Sequence, residues 1–239
     1  MSQDVHDMTD THPLRRATAE FLGTGALVAV VVGSGIAAER LSTDPGLRLL
    51  ENSIATALGL AALILLFGPV SGAHFNPVIS VADAVLGRRD RRGLRPRDLA
   101  LYIPAQLAGG VGGALLANAM FEVPTAISSH DRASAGTLLG EVIATAGLTL
   151  LIAGMVRASQ GIPAIAVAVG GYIGAAYWFT SSTSFANPAV TLGRVFSDTF
   201  AGISPLSAVQ FAGAQLLGAA IGILLTAALF TRPALEETP

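Results

Sequence analysis

The chain has 239 residues, of which 52% are hydrophobic and only 13% charged, with a formal net charge of −2. A soluble globular domain carries roughly 25% charged residues, so too little charge is present to coat a water-facing surface, and a mean hydropathy of +0.62 agrees. A disordered chain, a nucleic-acid binder with a broad basic face and most soluble enzymes are thereby excluded. Cysteine and lysine are both absent, all 14 cationic side chains being Arg, which removes disulfides, thiolate metal sites and Schiff-base chemistry. The composition is that of an integral membrane protein.

In chain order, residues 1–16 form a polar N-terminal segment with Asp4, Asp7 and Asp10. The apolar stretch Ala17–Ala38 follows and contains Glu20. It lacks the basic start, short apolar core and small-residue cleavage site of a signal peptide, and reads as a first membrane helix. Further spans are predicted at about Ser53–Val70, Leu99–Ala119, Thr137–Val156, Ile162–Phe179 and Ser207–Phe230, each near the length that crosses a hydrocarbon core roughly 30 Å thick. Two apolar pieces, Asn76–Gly87 and Asn187–Phe196, are too short to cross and read as re-entrant or interfacial segments. Both start with Asn-Pro, in which Asn caps orphan amides and Pro fits the first turn. Small polar stretches precede them, Ser71-Gly72-Ala73-His74 and Ser181-Ser182-Thr183-Ser184. Non-helical backbone is tolerated at membrane depth only inside protein or along a watery cavity, so a pore is implied. Residues 231–239 form a C-terminal tail.

The predicted channel domain, 17–230, divides into repeat halves at about 17–120 and 135–230. Ala19-Glu20-Phe21-Leu22-Gly23-Thr24 aligns with Gly140-Glu141-Val142-Ile143-Ala144-Thr145, Phe75-Asn76-Pro77-Val78 with Ala186-Asn187-Pro188-Ala189, and Ala105-Gln106-Leu107 with Ala214-Gln215-Leu216. Each half holds three spans, an odd number, so the halves are inverted in the membrane, as in transport proteins whose broken helices meet at the midplane. The Arg residues orient the chain. With Arg88, Arg89, Arg91, Arg92, Arg95 and Arg97 in the cytoplasm, Arg15, Arg16, Arg157 and Arg232 join them and only Arg40, Arg48, Arg132 and Arg194 lie outside. Both termini are then cytoplasmic. Gly109-xxx-Gly113, Gly170-xxx-Gly174 and Gly218-xxx-Gly222 are read as close-packing motifs.

Glu20 and Glu141 are the acids deep in full spans, and an ionised carboxylate there is costly unless paired. With no Lys in the chain and no Arg at similar depth in a partner span, the free amides of the re-entrant loops are their expected partners. The alternative is a proton relay in a coupled transporter. If both half-helices start at the midplane, their positive ends converge, and Asn76 and Asn187 offer amide donors to a lumen. Such a centre orients water or hydroxyl groups, disfavours cations and interrupts proton hopping. His74 is a further pore-lining candidate.

Ser71-Gly72-Ala73-His74-Phe75-Asn76-Pro77-Val78 and Ser184-Phe185-Ala186-Asn187-Pro188-Ala189 resemble the paired signatures of the aquaporin/glycerol-facilitator (major intrinsic protein) family. The resemblance implies an all-α membrane protein with six transmembrane helices and two re-entrant half-helices. It also implies a homotetramer with one pore per subunit and passive flow of small neutral solutes. Val78 stands where the family usually has Ala, and Val190 where it usually has the Arg of the outer selectivity filter. Carried over by spacing, the rest of that filter is Thr56, Ala175 and Ser184. All four residues are small and uncharged, so a wide filter is expected. Water-selective members tend to have an aromatic residue and His at the first two positions, and glycerol channels an aromatic pair with Arg; this chain has neither set. For Arg194, an i,i+4 pair with Asp198 is favoured over a place in the outer vestibule.

This filter resembles a bacterial branch often called aquaporin S, associated with arsenic resistance, which implies passage of arsenous acid beside glycerol and water. The resulting expectation is a non-enzymatic, cofactor-free channel in a bacterial inner membrane, with no metal site and no nucleic-acid partner. Competing readings are a coupled secondary transporter, a water-selective channel and a junctional membrane protein.

Overall fold

The computed structural model describes residues 12–88 and 93–230. Asp4, Asp7, Asp10, Arg89, Arg91, Arg92 and Arg232 lie outside them, so the expectations placed there concern residues beyond this description. Eight helices run in order: α1 (Pro13–Leu41), α2 (Pro45–Ser71), α3 (Pro77–Leu86), α4 (Pro96–Met120), α5 (Ala135–Arg157), α6 (Ile162–Phe179), α7 (Pro188–Arg194) and α8 (Pro205–Leu229). Six are long and apolar enough to span a membrane, and α3 and α7 are the two short ones.

Helix starts are written in the sequence. Seven of the eight described helices carry Pro at their first or second position, where a missing N–H is harmless. The eighth, α5, starts instead at a capping box of Ser134 and Thr137. The main boundary difference is α2, which begins at Pro45 rather than near Ser53. Arg48 and Glu51 end the apolar run there, yet Asp44 caps the Leu47 amide at 2.8 Å and nucleates the helix beyond the hydrocarbon. The segment 1–16 is likewise not uniformly outside the helical body, because α1 already includes Pro13 to Arg16.

The same helix pairs meet in both halves, although α1 packs far more extensively on α2 than α5 does on α6. α1 lies along α4 as α5 lies along α8, α2 meets α6, and each half-helix contacts the last span of both halves. Small residues permit these approaches. A Cβ on Gly113 would stand 2.1 Å from the Gly25 carbonyl oxygen, and one on Gly109 2.3 Å from that of Phe21. The opposite half repeats this contact: a Cβ on Gly218 would lie 2.6 Å from the Val142 oxygen, and one on Gly222 2.7 Å from that of Ala146. Outward faces are apolar, with Leu58, Leu66, Val167, Val209 and Leu224 all exposed. An apolar belt of this extent belongs in lipid or against another subunit.

Gly113→Ala is expected to lower the melting temperature and the monodisperse yield in detergent, since backbone rather than a flexible side chain must move, at a cost of about 1–3 kcal/mol. Gly112→Ala is the matched control, because a Cβ there meets nothing within 4 Å. Equal melting of the two variants would contradict backbone contact between α1 and α4.

Candidate functional site

The loops that precede α3 and α7 cross the interior without helical hydrogen bonds, and one Glu takes up the amides of each. Glu20 accepts from the backbone N–H of His74 at 3.0 Å and of Phe75 at 2.7 Å, and from Ser71 Oγ at 2.6 Å. Glu141 accepts from Phe185 N at 2.8 Å and Ala186 N at 2.9 Å. A Gln completes each cluster. Gln106 Nε2 donates to Glu20 at 2.7 Å and Ser80 Oγ at 2.9 Å, while Gln215 Nε2 donates to Glu141 at 2.6 Å and Thr191 Oγ1 at 2.9 Å. Both Glu side chains are fully buried. Tyr102, which the sequence reading does not single out, adds a hydroxyl donor to the Ser71 carbonyl at 2.7 Å.

Ala73, Phe75, Thr183, Ser184 and Ala186 all have φ between 47° and 61°, and Gly72 has φ 87°. Left-handed backbone at non-glycine residues costs of order 1–3 kcal/mol each, and persists only when its surroundings over-determine it. The carboxylates do so from one side of each loop. Residues 72–74 and 184–186 line one cavity on the other side.

Asn76 and Asn187 tie the loops together. Asn76 Nδ2 donates to the Ala186 carbonyl at 2.8 Å, and Asn187 Nδ2 to that of Phe75 at 2.8 Å. Their Oδ1 atoms cap their own helices, accepting from Val78 N at 3.1 Å and from Ala189 N at 2.9 Å. An amide NH₂ has two donors. With Oδ1 spent on capping and one N–H on the opposite loop, each Asn keeps one donor for the cavity that both line. Pro77, Pro188, Val78 and Ala189 are first-turn residues of the half-helices, and Val78 and Ala189 are buried.

Thr56, Ser184, Val190 and His74 also line this cavity. Ser184 Oγ has no protein partner, and His74 Nδ1 lies 3.1 Å from Ser80 Oγ. Ala175 does not belong to the lining: it sits on the exposed face of α6, while Val169, Ile173 and Tyr177 face inward. Residues four apart share a helix face and residues two apart do not, so the inward stripe passes over Ala175. The wall therefore carries a large aromatic side chain, with Tyr177 Oη 3.0 Å from Thr56 Oγ1. The expectation of small residues only is corrected on this side, and the stripe Val169-Ile173-Tyr177 was the signal that marks it.

Arg194 departs from its favoured reading as well. It is 3% exposed, its guanidinium carbon lies 3.4 Å from the Phe185 ring centroid, and its Nε donates to the Ala201 carbonyl. It lines the main cavity, one turn beyond Val190. Asp198 instead accepts from Ser129 N at 2.9 Å and faces His130 at 3.7 Å. The Ser129 backbone donation holds its carboxyl below the usual carboxylate range. The lining is therefore not free of charge.

The sequence profile described as Major intrinsic protein matches residues 7–162. Aquaglyceroporin AqpS of Rhizobium meliloti is 46% identical over 228 residues, covering 94% of each chain. Aquaporin Z of Brucella melitensis is 31% identical over 237 residues, covering 92% of this chain and 99% of its own. Among solved structures, the aquaglyceroporin from Plasmodium falciparum matches with a TM-score of 0.69 at 19% identity, over 91% of this chain and 95% of its own. That last likeness is one of fold.

Glu141→Gln is expected to lower thermal stability by about 1.5–3 kcal/mol for each charge-assisted bond that it weakens. Melting of purified protein in detergent measures this, and an unshifted transition would remove the bracing role.

Proposed function

The chain belongs to the major intrinsic protein family, and from that premise we propose that it is a passive membrane channel for small uncharged solutes. The observation that carries this reading is the pair of Asn side chains. Each has its oxygen and one N–H engaged by protein and one N–H left for the shared cavity. A water or hydroxyl oxygen that reaches this point meets donors only. Its own protons then point away along the pore, so a continuous chain of proton-hopping hydrogen bonds is interrupted. The converging N-terminal ends of α3 and α7 add positive potential that disfavours cations.

The coupled-transporter reading needs titratable groups on the path. Glu20 and Glu141 are occupied behind the loops and do not line the cavity, which leaves His74, itself 3.1 Å from Ser80 Oγ, as the candidate relay group on the path. The path combines loop backbone with an apolar wall that includes Leu60, Ile64, Val169 and Val190. A polyol fits such a surface, with its hydroxyls on the loops and its carbons on the wall. Glycerol, water and the neutral trihydroxy species arsenous acid are the proposed solutes, in keeping with the aquaglyceroporin name of the 46% identical relative. The protein is further proposed to be a homotetramer in a bacterial inner membrane with both termini cytoplasmic. The Arg bias and the exposed apolar faces support this.

Stopped-flow light scattering on proteoliposomes tests the reading. Glycerol flux is expected to be linear in gradient and weakly temperature-dependent, whereas saturation together with dependence on a pH gradient would establish a carrier. Asn76→Asp and Asn187→Asp are expected to reduce neutral flux and admit a cation leak, because a carboxylate offers acceptors where the pore needs donors. Asn→Gln at either position is expected to do less damage. Val190→Arg adds a long guanidinium to the lining beside Arg194, so glycerol and arsenous acid flux are expected to fall several-fold while water flux falls less. A constant solute-to-water ratio per assembled channel would show that Val190 does not set the bore.

A further inference from the structure

Two guanidinium groups come together on the α7 side of the cavity, and among the described residues neither has a carboxylate within ion-pair distance. Arg132, from the loop between α4 and α5, and Arg194, at the end of α7, both approach one aromatic ring. Their guanidinium carbons lie 5.6 Å and 3.4 Å from the Phe185 centroid. Both are held by successive backbone carbonyls of the loop before α8. Arg132 Nη2 donates to Phe200 O at 2.6 Å and Nε to Gly202 O at 2.5 Å, and Arg194 Nε donates to Ala201 O between them. The acids of neighbouring elements are engaged elsewhere. Glu39 accepts from Phe200 N at 3.1 Å, Asp131 from Ser204 Oγ at 2.5 Å, Asp198 from Ser129 N at 2.9 Å, and Glu141 from the loop before α7.

Both Arg residues line a second pocket together with Pro45, Leu49, Asn52, Thr183 and Phe200. The Asn52 amide nitrogen is already used, donating to Val31 O and Ser34 Oγ at 2.8 Å each. Beside the hydroxyl of Thr183, the pocket's charged donors are therefore the Nη groups that the carbonyls leave free. These are both Nη atoms of Arg194 and Nη1 of Arg132, none of which is a buried atom lacking a partner. They open on the pocket rather than into dry protein.

We propose that Arg132 and Arg194 form a binding site for a small planar monoanion, a carboxylate or nitrate-like oxyanion, at the pore mouth. Two like charges held close without a carboxylate repel each other, and an anion between them relieves that repulsion. The fixed fork of a guanidinium matches the two oxygens of a planar oxyanion better than it matches a halide. Phe185 and the three carbonyls hold the forks in place, so binding costs little side-chain ordering. Arg194 lines both this pocket and the main cavity, so an anion seated here narrows the entrance. Oxyanion occupancy thereby reports on, and reduces, solute flux from this side.

Nitrate is the probe, with chloride as the comparison anion at constant ionic strength, since a halide lacks the two oxygens that a guanidinium fork matches. In proteoliposomes, replacing chloride by nitrate is expected to lower glycerol flux up to about two-fold at the concentration that half-fills the site. In detergent the same exchange is expected to raise the melting temperature of the unmodified protein. Both nitrate responses, each taken as a ratio within one variant, are expected to vanish in Arg132→Gln and to weaken in Arg132→Lys, which keeps the charge and loses the fork. Arg132→Lys also covers the case in which Arg132→Gln folds poorly. Equal nitrate responses in the unmodified protein and Arg132→Lys, or no melting response at all, would overturn the site. The melting arm needs no flux, so a failure of the channel reading would show separately as absent glycerol flux with the nitrate stabilisation intact.

Discussion

Everything in this fold depends on satisfying a few backbone amides where no water is at hand. Two non-helical loops cross the middle of an apolar protein, and each exposed N–H that lacked a partner would cost free energy comparable to a lost hydrogen bond. Glu20 and Glu141 meet that demand from behind. With the amides drawn to the carboxylates, loop residues 72–74 and 184–186 are left to line the cavity. The pore surface is thus a consequence of how the loops are paid for energetically. The Gln side chains then lock each carboxylate to its half-helix through Ser80 and Thr191.

The two halves solve the same problem with different volumes, and the differences compensate. Phe75 precedes Asn76, and its ring occupies the space where a Cβ on Gly23 would stand 1.9 Å away. At the equivalent places in the other half stand Ala186 and Ala144; the small loop residue leaves room for the extra methyl group on the span. A second trade concerns the half-helices. Gly110 and Gly193 let α7 approach α4 so closely that a Cβ on either would lie 2.4 Å from a backbone oxygen. In the other half Ala219 and Ala82 occupy those positions. Packing density permits such exchanges only when both members of a contact change together.

Much of this was legible beforehand because the membrane narrows the alternatives. Six apolar runs, two Asn-Pro starts and two repeat-equivalent acids identify the spans, the half-helices and the loop amides as partners of Glu20 and Glu141. Spacing along the chain was a poorer guide to the wall. Counting back from Asn187 reaches Ala175, but the helical period of α6 turns Tyr177 to the cavity and Ala175 away from it. The start of α2 lies outside the apolar run, which stops at Glu51 and Arg48, whereas Asp44 and Pro45 specify the helix by capping alone. Arg194 departs from the i,i+4 expectation for a related reason. An i,i+4 partner presumes that the helix continues, and α7 ends at Arg194 itself, which leaves Asp198 on the following loop with Ser129 and His130.

That early end of α7 has a consequence for selectivity. Val190 leaves the inner part of the wall apolar, and the hydroxyls of Thr56 and Tyr177 face each other at 3.0 Å. Mutual bonding reduces what they offer a passing solute. The unpartnered Ser184 Oγ and the free Asn N–H groups remain as the polar contacts, on the loop side. Positive charge is moved outward by one turn to Arg194, where Phe185 and the Ala201 carbonyl hold it. For the channel proposed above, the guanidinium and the apolar wall thus stand at different positions along one cavity.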